Sequence, residues 1–206
     1  MKMKILLLAT HNQAKLEELK IGVRLLIKKG VKIVTLNDLN INKNPKETWK
    51  TFEENAKLKA KFYGDLTGCP TIADDGGLLI PFLNNEPGVK SRRWLGYEAS
   101  DEELIKHTLL HLRGVKWSDR IAYLQTCLCF YDPQINKSIC EQEKIKGFIA
   151  EKPSGKATNG YPFRALFIVE KYNKYYDELT KEEHLKINHR LKALRRLVNR
   201  LIALLH

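Results

Sequence analysis

The chain predicts an α/β protein built on a mixed sheet, and two observations carry that expectation. Short apolar runs alternate with segments of helical spacing in its first half, and two long strand-like runs flank Asp132-Pro133 in its second. With 206 residues, 43% of them hydrophobic, it has material for one substantial core or two small lobes, and it reads as a single domain spanning 1–206.

The elements follow in order. Lys4 to Ala9 is a first buried strand: its apolar run is shorter than a signal-peptide core and ends at polar His11-Asn12. From Ala14 to Ile27, Leu16, Leu19, Val23 and Leu26 recur at helical spacing, and Lys32 to Leu36 returns as a strand. Thr51 and Glu54 have the spacing of a capping box, in which each side chain bonds the other's backbone N–H, so a helix runs from there to about Tyr63. Pro70 to Ala73 and Leu78 to Ile80 read as two short strands either side of Asp74-Asp75. Ser100 and Glu103 cap a helix reaching about Leu112. Ile121 to Tyr131 and Lys137 to Ile149 pair as a hairpin, 153–160 is a Gly/Ser/Thr loop, and Ala165 to Val169 is a strand. Thr180 and Glu183 open a final helix whose Ile187, Leu191, Leu194, Val198, Leu201 and Leu205 track one face.

The formal charge of +12, from 36 Lys and Arg against 24 Asp and Glu, implies an anionic partner: a nucleotide, a nucleic acid or an acidic membrane surface. No stretch approaches membrane-spanning length. Lys192, Arg195, Arg196 and Arg200 flank the last helix as a possible nucleic-acid surface, although such a run is more often a solvated face. Cys69, Cys127, Cys129 and Cys140 lack zinc-site spacing. Cys127 and Cys129 share a strand face, and the set reads as buried free thiols of a reducing, cytoplasmic setting.

Asp74 and Asp75 are the most informative pair. Two adjacent carboxylates between an apolar run and Gly76-Gly77 can hold a divalent cation and let a phosphate approach the backbone. The plainer alternative is an acidic turn closing a hairpin. Thr10, His11 and Asn12 end the first strand where a helix begins, with Lys15 in its first turn, which is an anion site or an ordinary N-cap. Asn55 and Lys59 stand one turn apart on the Thr51 helix, as part of a site or of a solvated face.

Taken together, Ala9-Thr10-x-Asn12-x-x-Lys15, Thr51-Phe52-x-Glu54-Asn55-Ala56-x-x-Lys59-Ala60, Ala73-Asp74-Asp75-x-Gly77-Leu78, Pro87-Gly88-Val89-x-Ser91-x-Arg93 and His189-Arg190 fall in one order and spacing. In this the chain resembles the inosine/xanthosine triphosphate pyrophosphatases over nearly its whole length. The resemblance implies an elongated two-lobed α/β fold, a central mixed twisted sheet flanked by helices, a homodimer, and Mg2+-dependent hydrolysis of deaminated purine nucleoside triphosphates to monophosphate and pyrophosphate. It assigns Thr10, His11, Asn12 and Lys15 to the triphosphate with Asn55, Lys59 and Gly76 nearby. Asp75 becomes general base and metal ligand with Asp74 beside it, Glu47 a second metal ligand, Arg93 a substrate contact, and His184, His189 and Arg190 readers of the purine.

Several positions depart from the family pattern. Gly76 replaces a Ser, Lys46-Glu47 an acidic pair, His184 a Lys and Asn188 a Ser. The base-binding loop, Gly-Phe-Gly-Tyr-Asp-Pro in the family, stands as Gly160-Tyr161-Pro162-Phe163-Arg164-Ala165. Tyr161 and Phe163 are expected to stack on the base, while Arg164 cannot accept hydrogen bonds as Asp does. The phosphate half is kept and the base half rewritten. The expected activity is therefore a pyrophosphatase of altered or relaxed base preference; a nucleotide-binding relative of weakened turnover is the alternative.

Overall fold

The computed structural model describes residues 4–46, 50–158 and 160–205. Its elements are β1 (Ile5–Ala9), α1 (Gln13–Gly22), α2 (Arg24–Lys28), β2 (Lys32–Thr35), α3 (Phe52–Thr67), β3 (Thr71–Ile80), β4 (Glu86–Pro87), α4 (Asp101–His111), β5 (Ile121–Asp132), β6 (Lys137–Ile149), β7 (Phe167–Val169), β8 (Lys174–Tyr175), α5 (Lys181–Ile187) and α6 (His189–Leu205). Among the described residues, eight strands join one hydrogen-bonded sheet in the order β2-β1-β3-β5-β6-β7-β8, with β4 on β3. The sheet is mixed: β1 runs parallel to β2 and β3, whereas β7 is antiparallel to β6 and β8.

The chain divides into two compact units, one of residues 1–75, 126–143 and 189–206, the other of 76–125 and 144–188. Each has its own core. In the first, Leu6, Leu8, Ile72 and Phe130 from the strands pack with Leu16 and Leu19 of α1 and with Leu194, Leu197, Val198 and Leu201 of α6. A Cβ on Gly22 would approach Leu194 Cγ to 2.7 Å, so the glycine lets α1 and α6 close on each other. In the second, Leu78, Ile80, Leu104, Leu124, Ile149, Leu166 and Phe167 form the core.

All three capping boxes form as expected, at Thr51/Glu54, Ser100/Glu103 and Thr180/Glu183. Four expectations are corrected. The helix expected over 14–27 is two helices, divided at Val23, whose φ −88° and ψ 4° leave the helical region. The final helix is likewise two, because Asn188 (φ −52°, ψ 110°) turns the chain before His189 restarts it. The two short strands and acidic turn around Asp74-Asp75 are one ten-residue strand with both carboxylates inside it. Gly77 is needed within that strand for close approach rather than for a turn: a Cβ there would overlap Ser91 Oγ and lie 2.6 Å from the Gly88 carbonyl. Lastly, Cys129 and Cys140 are joined as a disulfide across β5 and β6, leaving Cys69 and Cys127 free. The β5–β6 hairpin puts them opposite, three residues back from Asp132 and three on from Lys137.

Arg196 and Arg200, half of the expected basic surface, are committed within the first unit. Arg196 donates to Glu141, Glu143 and the Gln142 carbonyl, and Arg200 to Glu141 at 2.6 Å. Cations balanced in this way offer little to phosphates, which bears against the nucleic-acid reading.

Candidate active site

β3 carries the acid pair at its parallel seam with β1, where Ala73 is level with Ala9. Successive residues of a strand point to opposite faces, so the two aspartates receive different partners. Asp74 is fully enclosed. Its Oδ2 accepts from Arg190 Nε at 2.9 Å and lies 3.4 Å from Lys15 Nζ. Arg190, 3% exposed, also donates through Nη1 to Glu18 Oε2 at 2.6 Å. On the other face Lys59 Nζ donates to Asp75 Oδ1 at 3.0 Å, and Thr126 Oγ1 to the Asp75 carbonyl at 3.3 Å.

The local sequence explains how each cation arrives. Asn12 caps α1 by accepting from Lys15 N at 3.0 Å, and itself donates its N–H to Thr10 Oγ1 at 3.2 Å, so Lys15 leaves the first helical turn at the end of β1. Lys59 lies on α3, two turns beyond its Thr51/Glu54 box, and Asn55 is buried one turn before it. Arg190 is the second residue of α6, immediately after the break at Asn188, with His189 buried beside it. His11 is exposed, its ring edge-on to Tyr63 with centroids 6.4 Å apart.

The electrostatics separate the two carboxylates. Burial alone would raise the Asp74 carboxyl, but the charges of Lys15, Arg190 and Lys59 and the hydrogen bond from Arg190 outweigh it and hold it at about 2. Lys15 is lowered: burial disfavours its ammonium, Arg190 and Lys59 add to that, and Asp74 and Asp75 oppose it. Three carboxylates, Glu18, Asp74 and Asp75, thus meet three cations, Lys15, Lys59 and Arg190. A charge-balanced cluster does not by itself attract a triphosphate, so a polyanion there calls for further positive charge.

Asp74 Oδ1 is buried and makes no hydrogen bond among the described residues. Carboxylate oxygens of the kind Asp75 offers fit a hard divalent cation. Glu47, the other expected ligand, lies outside the described residues.

The remaining expected residues belong to the second unit. Gly76 is half-buried within β3 and Arg93 is exposed. Phe163 is part of that unit's core at 7% exposure. Arg164 lies over Tyr161 with Cζ 3.5 Å from the ring centroid, and 4.6 Å from that of Tyr176, so a cation covers the ring expected to stack. His184 Nε2 meets Asn188 Nδ2 at 3.2 Å and its ring is edge-on to Tyr176. Asp101 anchors the start of the 160–165 loop, accepting from Thr158 Oγ1 and from Gly160 N at 3.1 Å.

Two residues escaped the sequence reading. Glu18 sits in α1, where helical spacing places it to the side of the Leu16–Leu19 stripe and a lone acid reads as solvent-facing, so no local signal marked its burial. Asp101 was hidden as the first residue after a cap.

The Ham1 family model matches residues 6–200. This chain belongs to the Ham1 family. A dITP/XTP pyrophosphatase of Thermoanaerobacter pseudethanolicus is 38% identical over 196 residues, covering 94% of each chain. That of Bacillus subtilis is 35% identical over 195 residues, 95% of this chain and 96% of its own. Among solved structures, a HAM1 protein from Coxiella burnetii superposes with a TM-score of 0.84 at 31% identity, over 98% of this chain and all of its own. As a Ham1 protein the chain carries its acid pair and the Lys15, Lys59, His189 and Arg190 set inside the matched span.

Proposed function

We propose that this Ham1 chain hydrolyses deaminated purine nucleoside triphosphates, of the dITP and XTP type, to the monophosphate and pyrophosphate. The observation that carries this reading is the acid pair inside β3, held from opposite faces by Lys15 with Arg190 and by Lys59. The names of its relatives supply the substrate class.

Asp75 would hold the divalent cation, taken as Mg2+, with Glu47 as the expected second ligand. When bound, the ion supplies positive charge that neutralises phosphate oxygens and acidifies water. The residues divide the remaining work. Asp74, with its carboxyl at about 2, is a weak proton acceptor and serves as a fixed anion that positions Lys15 and Arg190. Asp75 is left as the base that takes the proton from the attacking water, oriented by Lys59. Lys15 and Lys59 lie at the mouth of the cluster, their side chains 18% and 16% exposed, and provide the charge that meets the phosphates. Arg190 holds Asp74 and Glu18, and the expected base-reading role passes to its neighbour His189.

A homodimer and a cytoplasmic setting belong to the same proposal. No described helix is long and apolar enough to cross a membrane. Leu110 and Trp117 are exposed apolar surface available to a second copy. Sedimentation at two concentrations tests the dimer.

The deciding experiment incubates the protein with inosine, xanthosine, guanosine and adenosine triphosphates and Mg2+ and resolves the products. Monophosphate with pyrophosphate, fastest for a 6-oxo base, is expected. Diphosphate with inorganic phosphate, or no turnover of any triphosphate, overturns the assignment.

A further inference from the structure

Cys127, Cys129 and Cys140 lie together in the first unit, and the hydrolytic chemistry uses none of them. Cys127 and Cys129, two apart on β5, project to the same side of the strand, and Cys140 meets them from β6. Their sulfur atoms all lie within 4.8 Å of one another. Cys127 and Cys129 are fully buried, while Cys140 is half-buried and gives access from solvent.

We propose that these three cysteines form a second metal site, a three-thiolate cradle for a soft cation such as Zn2+, which opens when the Cys129–Cys140 disulfide is reduced. Two low-molecular-weight thiols carry out the reduction: the S–S bond breaks, Cys129 and Cys140 each gain a proton, and the reductant leaves as its own disulfide. Zn2+ then displaces three thiol protons and takes three thiolates, one of them from Cys127, which is already free. Disulfide and metal exclude each other.

The dimensions allow it. Zn–S bonds of about 2.3 Å in tetrahedral geometry set sulfurs roughly 3.8 Å apart, so the Cys127 sulfur closes by about 1 Å at most from the 4.8 Å limit, while reduction lets the bonded Cys129 and Cys140 sulfurs move apart. The surroundings select a cation. Burial, with Glu53, Asp75, Asp74 and Glu141 nearby, pushes the Cys127 thiol up to about 12. A bare thiolate is resisted there, so zinc must displace the Cys127 proton and should bind more tightly as pH rises. Sulfur donors also separate this cluster from the carboxylate site: soft ligands favour zinc or cuprous ions, oxygen ligands favour magnesium.

The test titrates Zn2+ into the full chain, oxidised and reduced, in excess Mg2+ to occupy the oxygen ligands. Native mass spectrometry counts bound zinc, and a thiol reagent counts free cysteines. One zinc per reduced chain is expected, with the half-exposed Cys140 thiol becoming protected and Cys69 still reactive, and none on the oxidised chain. Cys127→Ser and Cys140→Ser should each weaken zinc by more than the roughly 10–100-fold that loss of an outer-shell partner costs, while Cys69→Ser changes nothing. The half-exposed Cys140 position serves if the buried Cys127→Ser variant does not fold. No zinc on the reduced chain, or wild-type affinity in either variant, overturns the proposal.

Discussion

Arg190 Nε donates to Asp74 Oδ2 at 2.9 Å across 116 residues of sequence, and the same guanidinium reaches Glu18. A residue expected to read a base is thus the tie that binds a helix start to the central strand.

Arg190→Ala should therefore act on stability before specificity. Removing one partner of a buried pair leaves its charges uncompensated, at a cost of about 3–5 kcal/mol. Urea denaturation should show that loss, and kcat/KM should fall alike for inosine and adenosine triphosphates. A loss confined to the 6-oxo substrate, with stability intact, would return Arg190 to base reading.

The two aspartates should separate. Asp75→Asn removes the proposed base with little change of shape and should lower turnover by roughly 10²–10⁴ while the midpoint of unfolding stays near wild type. Asp74→Asn should lower stability as well, because Lys15 and Arg190 lose their anion. Near-wild-type kcat in Asp75→Asn would displace it as the base.

Acid should unfold the protein partly through Asp74. Its folded carboxyl is depressed to about 2 from the usual 3.8. A depressed carboxyl contributes stability that is fully present above the unfolded pKa and is lost as pH falls through the folded one. On the order of 2 kcal/mol should therefore disappear between about pH 4 and pH 2. Subtracting the stability-pH curve of Asp74→Asn from that of wild type isolates the contribution; parallel curves would deny it.

Lys15→Ala and Lys59→Ala should each weaken a non-hydrolysable triphosphate more than the monophosphate, by about 1.5–3 kcal/mol for a lost charge-assisted contact. Calorimetric titration of both ligands reads the difference. Equal weakening would move these lysines off the phosphate path.

What the sequence made legible was local. Thr51, Ser100 and Thr180 announced their helices because a capping box is written in four consecutive residues. The α/β class and the hairpin followed from periodicity. What stayed hidden depended on partners far along the chain. Asp74-Asp75-Gly76-Gly77 has the local signature of a turn, and only the pairing of β3 with β1 and the approach of Ser91 to Gly77 make it a strand. Glu18 looked like surface because Arg190, 172 residues away, was not visible from α1. The Cys129–Cys140 bond depends on the hairpin register, which sets the two positions opposite each other across β5 and β6. Phe163 and Arg164 were assigned from a motif, whereas core packing and the faces of Tyr161 and Tyr176 determine where they lie.

The first unit is assembled from three separated stretches, the last being 189–206. During synthesis β1, α1, α3 and the start of β3 emerge early, yet Asp74 and Glu18 wait for Arg190, and the Leu16–Leu19 face of α1 waits for Leu194 and Val198. The nascent chain must therefore carry unpaired acids and an uncovered apolar face until almost all of these residues have been made. Folding of this unit is bound to late, non-local contacts, and it is in that interval that a chaperone would matter most.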